Sequence, residues 1–235
     1  KAESEPKLSE LINSTAPEII ASTLAKQGGK MVQLSTDFVF SGNENTPYQP
    51  QQFTDPISIY GETKLKGETA VQSYLESSGY VLRTSWLYGP TGKNFLLTML
   101  RLIQIKSLSK EKLYVVDDQI GCPTNSKGLA EICWKILEKE EVGIPKTLHW
   151  CDEGSASWYS FAVKIAEIAI SEGLLSEIAN ISPISTSDYP TSAKRPKYSL
   201  LDCQLSERYL GIKRVKWEIA LKKIMISIKN SQKNF

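Results

Sequence analysis

Histidine is nearly missing from this 235-residue chain, with one copy, and cysteine is sparse, with four. Cys122, Cys133, Cys151 and Cys203 include no CxxC pair, which excludes a zinc site of the usual spacing and a disulfide framework. Reduced, mostly buried thiols and a cytoplasmic location are the expectation. No apolar run approaches the roughly 20 residues of a membrane span, and there is no signal-peptide core. Charge of one sign is also lacking: 28 Lys and Arg face 26 Asp and Glu, a net +2. That gives no electrostatic case for nucleic acid or an anionic membrane as partner, although a few placed cations suffice for a small anion. Neither an internal repeat nor a low-complexity tract occurs. The G-x-S-x-G turn of a serine hydrolase is absent, so His149 has no nucleophile to serve. What remains is an ordinary globular composition, 41% hydrophobic and 23% charged, long enough for a core without disulfides or metal. The chain opens on Lys-Ala-Glu-Ser-Glu-Pro without an initiator Met, the expectation for a piece of something longer.

Two hydrophobic periods alternate along the chain. Residues 5–27 carry apolar positions at helical spacing (Leu8, Leu11, Ile12, Ile19, Ile20, Leu24), ended by Gly28 and Gly29. Met31–Leu34 is a short apolar strand, residues 41–56 a Gly-, Asn- and Pro-rich loop, and 59–76 a helix. A strand at 80–84, a helix at 94–104, a strand at 113–116, a turn-rich loop at 117–124 and a helix at 126–139 follow. Residues 147–150 are strand-like, 157–171 an amphipathic helix, 182–200 Ser/Thr/Pro-rich, and 215–229 a last helix. Strand–helix alternation predicts an α/β, Rossmann-like, doubly wound and mainly parallel sheet with a smaller mixed α/β lobe. Residues 1–115 are assigned to the dinucleotide-type domain. Residues 116–235 are assigned mainly to a substrate lobe, with some segments returning to the first.

Tyr60 and Lys64 open the helix at 59–76, and the i, i+4 spacing puts both on one helical face. An ammonium beside a phenol lowers the phenol's pKa from about 10 and lets it exchange a proton with a carbonyl oxygen near neutrality. Alone, such a pair is common on solvated helices. The second element is Ser35-Thr36-Asp37 at the C-terminal end of the strand, where open α/β sheets bind ligands. A hydroxyl there can bond to the oxygen that the phenol protonates.

The motifs Leu34-Ser-Thr-Asp-Phe-Val-Phe-Ser-Gly42, Tyr60-Gly-x-x-Lys64-Leu-x-Gly67-Glu68 and Arg83-Thr-Ser-Trp-Leu-Tyr-Gly89 resemble the dTDP-4-dehydrorhamnose reductase family. Pro47-Tyr48, Asp55-Pro56, Asn94-Phe95, Asp118-Gln-x-Gly121-x-Pro123-Thr124 and Arg195-Pro196 extend the likeness over essentially the whole chain. The resemblance implies an extended short-chain dehydrogenase/reductase. The reaction implied is NADPH- or NADH-dependent reduction of dTDP-4-dehydro-L-rhamnose to dTDP-L-rhamnose. On this resemblance Tyr60 is the proton donor, Lys64 holds the phenol and the nicotinamide ribose, and Thr36 polarises the ketone and tunes Tyr60. Leu34 and Ser35 lie near the cofactor with Tyr60 and Lys64. Thr36, Asp37, Phe38 and Trp86 line the substrate site. A dTDP-sugar is the implied partner, without nucleic acid or membrane, and a homodimer suits the family.

Two departures stand out. Phe38 occupies a position where the family more often has Tyr, which removes one phenolic hydrogen bond and keeps the apolar surface. The Gly-rich turn that cradles a cofactor pyrophosphate does not occur in this chain, so poor dinucleotide binding by these residues alone is the expectation. The strand at 31–34 is then an exposed edge. Arg195 suits either a diphosphate or a plain basic loop. His149 reads as a half-buried structural residue, Asp117 and Asp118 as turn formers, Trp134 and Trp217 as core or interface, and Lys213 to Lys223 as a solvated face. Two other functions stay open: a non-catalytic subunit resembling the methionine adenosyltransferase β subunit, and a reductase or epimerase of another nucleotide-sugar. Joint retention of Tyr60, Lys64, Thr36 and Trp86 speaks against the first, since a binding subunit needs no acid–base pair.

Overall fold

The computed structural model describes residues 1–139, 143 and 145–232. In chain order the first elements are α1 (Pro6–Glu10), a π-helical turn (Leu11–Thr15), α2 (Ala16–Gln27), β1 (Met31–Thr36), a 3-10 turn (Asp37–Val39), α3 (Ile59–Tyr74) and β2 (Gly79–Thr84). Next come β3 (Leu87–Tyr88), α4 (Phe95–Ser109), β4 (Leu113–Val116), β5 (Ile120–Gly121), β6 (Thr124–Asn125) and α5 (Ser126–Glu138). The chain ends through β7 (Thr147–His149), β8 (Ala156–Ser157), α6 (Trp158–Ser171), β9 (Ile181–Ile184), a second 3-10 turn (Thr186–Asp188), α7 (Gln204–Leu210) and α8 (Trp217–Gln232).

Two compact units share these elements. One comprises Lys1–Ser85, Leu129–Cys151 and Thr191–Lys213; the other Trp86–Gly128, Asp152–Pro190 and Arg214–Phe235. The first is built on a parallel sheet of order β1-β2-β7. Met31 to Thr36 lie in register with Gly79 to Thr84, and Val81 to Arg83 with Thr147 to His149. Every residue of β2 is buried, as a central parallel strand covered on both faces requires. On one face Tyr80, Leu82, Leu148 and Trp150 pack with Leu129, Ile132 and Ile136 of α5 and Leu210 of α7. On the other, Ala21 of α2 meets Val71 of α3 and the neighbouring Leu75. Among the described residues β1 is one edge of this sheet, as the sequence predicts, and β7 the other.

The N-terminal helix differs from the expected continuous 5–27 segment, because Pro17 has no N–H to give to the carbonyl of Asn13. The chain there widens into the π-helical turn. The Asn13 carbonyl lies so close to α3 that a Cβ added at Gly67 would sit 2.1 Å from it. Pro17 and Ala21 are the buried residues of α2, whereas Leu8, Leu11, Ile12, Ile19 and Ile20 stay exposed. The helical periodicity was therefore a guide to conformation, and small residues decide which face meets α3.

Glu68 and Arg83 lock α3 to β2. The guanidinium donates from Nε to Glu68 Oε1 at 2.9 Å and from NH2 to Oε2 at 2.6 Å, and its NH1 donates to the Pro50 carbonyl at 3.1 Å. Both side chains are almost fully buried. The same guanidinium lies 5.2 Å from the centre of the Phe40 ring.

Among the described residues the second unit holds three two-stranded ladders: β3 with β6 and β4 with β9 in parallel, β5 with β8 antiparallel. Helix α6 is its core, capped by Ser157 and burying Phe161, Ala162, Ile165, Ala166, Ile168 and Ala169. β9 falls in the stretch read as Ser/Thr/Pro-rich, where polar residues mask a four-residue strand. No helix among the described residues is long and apolar enough to cross a membrane.

Candidate active site at the end of the first strand

The carboxyl end of β1 and the first turn of α3 meet because Gly61 lets them. Its backbone lies against the 3-10 turn, and an added Cβ would stand 2.2 Å from the Phe38 carbonyl and 2.9 Å from Pro56. Ser58 caps α3 by accepting the Gly61 N–H at 3.2 Å. Tyr60 is thereby held near Thr36, whose hydroxyl is placed to favour the phenolate. The Phe38 ring meets the Tyr60 ring edge-on at 5.6 Å.

Lys64 lies one turn further on. Its Nζ donates to the Leu34 carbonyl at 2.6 Å, which leaves two of its three N–H groups for other acceptors. Burial lowers its pKa, and the nearby Glu68 opposes that shift. The expectation that Lys64 lowers the Tyr60 pKa is not met in this state. The phenol is raised above its usual value by burial and by the negative charge of Asp37, with the Thr36 hydrogen bond pulling the other way. The reason is geometric: the ammonium is anchored on the strand carbonyl. Tyr60 thus holds its proton firmly, a state suited to an acid.

Thr36 Oγ1 donates to Asp37 Oδ1 at 2.9 Å and accepts the Phe38 N–H at 3.1 Å. Asp37 is 2% exposed, and burial pushes its carboxyl up to about 6; the Ser199 and Thr36 hydroxyls act in the opposite sense. Stability must follow this shift. A carboxyl with a folded pKa near 6 and an unfolded value of 3.8 contributes fully only below 3.8, and that contribution is lost as pH rises through 6. The native cost of ionising it is on the order of 2–3 kcal/mol. Asp37→Asn is expected to be more stable than the parent at about pH 7 and to close that gap at about pH 4. Denaturant titrations at both pH values check this, and an identical difference at the two would show that Asp37 ionises freely.

The spare donors of Lys64, the open carbonyl end of β1 and the partly exposed Tyr60 suit the ribose hydroxyls of a nicotinamide dinucleotide. Ser35 is brought elsewhere: strand alternation turns its side chain to the face opposite Thr36, where Oγ is buried without a partner.

Residues 1–230 match the family model described as RmlD substrate binding domain. The dTDP-4-dehydrorhamnose reductase of Escherichia coli is 34% identical over 227 residues, covering 96% of this chain and 74% of that protein. Among solved structures, the dTDP-4-dehydrorhamnose reductase of Clostridium acetobutylicum superposes with a TM-score of 0.87 at 34% identity, over 97% of this chain and 76% of its own. The Bacillus anthracis reductase, solved in complex with NADP, gives 0.84 at 35% identity, over 96% and 75%. The chain belongs to the RmlD family.

Its fold is therefore the Rossmann-like short-chain dehydrogenase/reductase type expected from strand–helix alternation. In this RmlD-family chain Trp86 belongs to the second unit. It adopts a positive φ of 46°, a conformation that costs a non-glycine residue about 1–3 kcal/mol. Its indole stacks on that of Trp158 with centroids 3.6 Å apart and planes within 9°. Trp158 in turn donates from Nε1 to Gln119 at 3.1 Å, and Gln119 donates to Thr186 at 3.0 Å. A Cβ at Gly121 would strike the Trp86 ring at 2.5 Å. Sequence reading gave no role to Trp158, and Gln119 entered it only as a member of the Asp118–Thr124 motif.

Arg195 is exposed, and from its loop it is Ser199 that reaches the Asp37 carboxyl. No motif pointed to Ser199. His149 is fully buried rather than half-buried, with Nδ1 3.1 Å from the Tyr48 carbonyl, which can only accept and so places the proton on Nδ1. Burial, with Arg83 beside it, lowers its pKa to about 3. Asp118 accepts from the Thr186 N–H and hydroxyl at 2.8 and 2.6 Å, a tie to a segment distant in sequence where a local turn-forming role was expected. Trp217 is core at 4% exposure, but Trp134 is 66% exposed, so its helical spacing did not signal burial.

Proposed function

We propose that Tyr60, Lys64 and Thr36 are the acid–base centre of a dTDP-4-dehydrorhamnose reductase. The enzyme reduces the 4-keto group of dTDP-4-dehydro-L-rhamnose to a hydroxyl with NADPH or NADH. The observation that carries this reading is Lys64 anchored on the Leu34 carbonyl at 2.6 Å, one helical turn from Tyr60 and beside the strand end that bears Thr36. Bound nicotinamide cofactor supplies the hydride. Tyr60, kept protonated by its surroundings, gives its proton to the sugar oxygen as negative charge develops there. Thr36 orients that oxygen and the phenol together. Lys64 holds ribose hydroxyls with its two spare donors and stabilises the phenolate that Tyr60 leaves behind. Asp37 and Phe38 line the sugar side, Phe38 through an apolar edge in place of a phenolic hydrogen bond. A cytoplasmic location belongs to the same proposal, supported by four cysteines outside any disulfide, including Cys151 and Cys203 with sulfurs 3.6 Å apart.

The direct test follows reduced nicotinamide absorbance with dTDP-4-dehydro-L-rhamnose as substrate. Oxidation that depends on the keto sugar, with dTDP-rhamnose as product, is expected. Consumption with UDP-linked keto sugars but not with the dTDP sugar would defeat the substrate assignment.

A further inference from the structure

Two cysteines of the first unit meet just beyond its central sheet. Cys151 follows shortly after β7, and Cys203 stands at the head of α7. They are 52 positions apart in sequence, yet their sulfurs lie 3.6 Å from each other, and both side chains are buried. The backbone around them is fixed by bonds that do not involve sulfur. Ser206 Oγ donates to the His149 carbonyl at 2.6 Å, which pins α7 to β7. Tyr48 holds the approach to α7: its N–H donates to the Leu200 carbonyl and its carbonyl accepts the Asp202 N–H, each at 2.8 Å. That carbonyl also lies 3.1 Å from His149 Nδ1, so the two cysteine-bearing segments share one anchor.

We propose that Cys151 and Cys203 are a modification site, a dithiol that a hydroperoxide converts into a reversible disulfide stapling the end of β7 to the start of α7. Starting from this contact, the sulfurs need to close by only about 1.5 Å, a movement on the scale of a side-chain rotation. The other thiols are placed differently. Cys122 lies in the second unit and donates to the Asp152 carbonyl at 2.9 Å. Cys133 is half-buried on α5, where burial raises its pKa and lowers its share of reactive thiolate. The staple also fixes part of the candidate site, because Ser199, shortly before Cys203, bonds the Asp37 carboxyl.

The chemistry balances with hydrogen peroxide as oxidant. One cysteine thiolate attacks a peroxide oxygen; an S–O bond forms, the O–O bond breaks, and the departing hydroxide takes a proton and leaves as water. The neighbouring thiolate then attacks the oxidised sulfur; the S–S bond forms, the S–O bond breaks, and a second hydroxide leaves as water. Two thiols and one peroxide give one disulfide and two waters, with two electrons passing from sulfur to oxygen. Peroxide is little larger than water and reaches the pair when the short helix α7 opens locally. In a reducing compartment the pair rests as the dithiol, and the disulfide is an oxidant-driven state.

The test treats the full chain with hydrogen peroxide, removes the oxidant, alkylates the remaining thiols and maps the unreduced peptides by mass. The expected product joins the peptides of Cys151 and Cys203, lacks two hydrogens, and returns to the dithiol with dithiothreitol. Its Tm should rise by at least about 5 °C, because the closed loop restricts the unfolded chain. Cys133→Ala should behave like the parent, whereas Cys151→Ala and Cys203→Ala should lose both the cross-link and the rise in Tm. Three results overturn the proposal: sulfinic acid at either cysteine without a cross-link, a disulfide that involves Cys122 or Cys133 instead, or a Cys151–Cys203 cross-link that lowers Tm. Mapping of the parent chain decides the matter even where an alanine variant does not fold.

Discussion

Tyr60→Phe is expected to lower kcat by roughly 10²–10⁴-fold, the range for removing a positioned general acid. The ring stays, so its edge contact with Phe38 at 5.6 Å is kept and the folded state loses only a hydroxyl. One hydroxyl contributes at most about 0.5–1.5 kcal/mol through its hydrogen bonding, so the thermal midpoint should move by a few degrees at most. Substrate affinity should change little, because the phenol acts on the developing charge more than on the bound ketone. Steady-state kinetics with a parallel melt checks both halves. Normal turnover by a folded Tyr60→Phe would falsify the assignment of the proton donor.

The largest loss of stability is expected at the Glu68–Arg83 pair. Removing one partner of a buried ion pair leaves the other charge uncompensated, at a cost of about 3–5 kcal/mol. Arg83→Met also abandons the Pro50 carbonyl, which the guanidinium now satisfies at 3.1 Å. Glu68→Gln retains some hydrogen bonding and should cost less. The double variant Glu68→Gln/Arg83→Met should be more stable than the sum of its parts predicts, because no buried charge is left unpaired. Denaturant midpoints for the four proteins measure this, and strict additivity would mean that the pair is only two separate contacts. A loss of activity in Arg83→Met should follow, since α3 carries Tyr60 and Lys64 and the pair is its tie to β2.

Much of the site was legible because its chemistry is local. Tyr60 and Lys64 are one helical turn apart, and Ser35, Thr36 and Asp37 are consecutive at a strand end. What was hidden depends on residues distant in sequence. Ser199 reaches Asp37 across 162 positions, and no pattern at either end announces it. Trp158 stacks on Trp86 because α6 begins where β8 ends, a fact of packing. The elements show the same divide. Helix α3 and strands β1, β2 and β4 follow from periodicity. The π-helical turn, α7 and β9 escaped it because Pro17, a seven-residue helix and a strand containing Pro183 carry weak periodic signals.

The sequence by itself determined the residue types, the order of the motifs and the proximity of Tyr60 to Lys64, all of which follow from backbone geometry within a few residues. Only the tertiary structure decided what those side chains experience. Lys64 is bonded to the Leu34 carbonyl, so it does not depress the phenol. Burial raises the Asp37 pKa, and Ser199 is brought to its carboxyl by folding. Ionisation states depend on solvent exclusion and on charges brought close by folding, and neither is a property of the chain read one residue at a time.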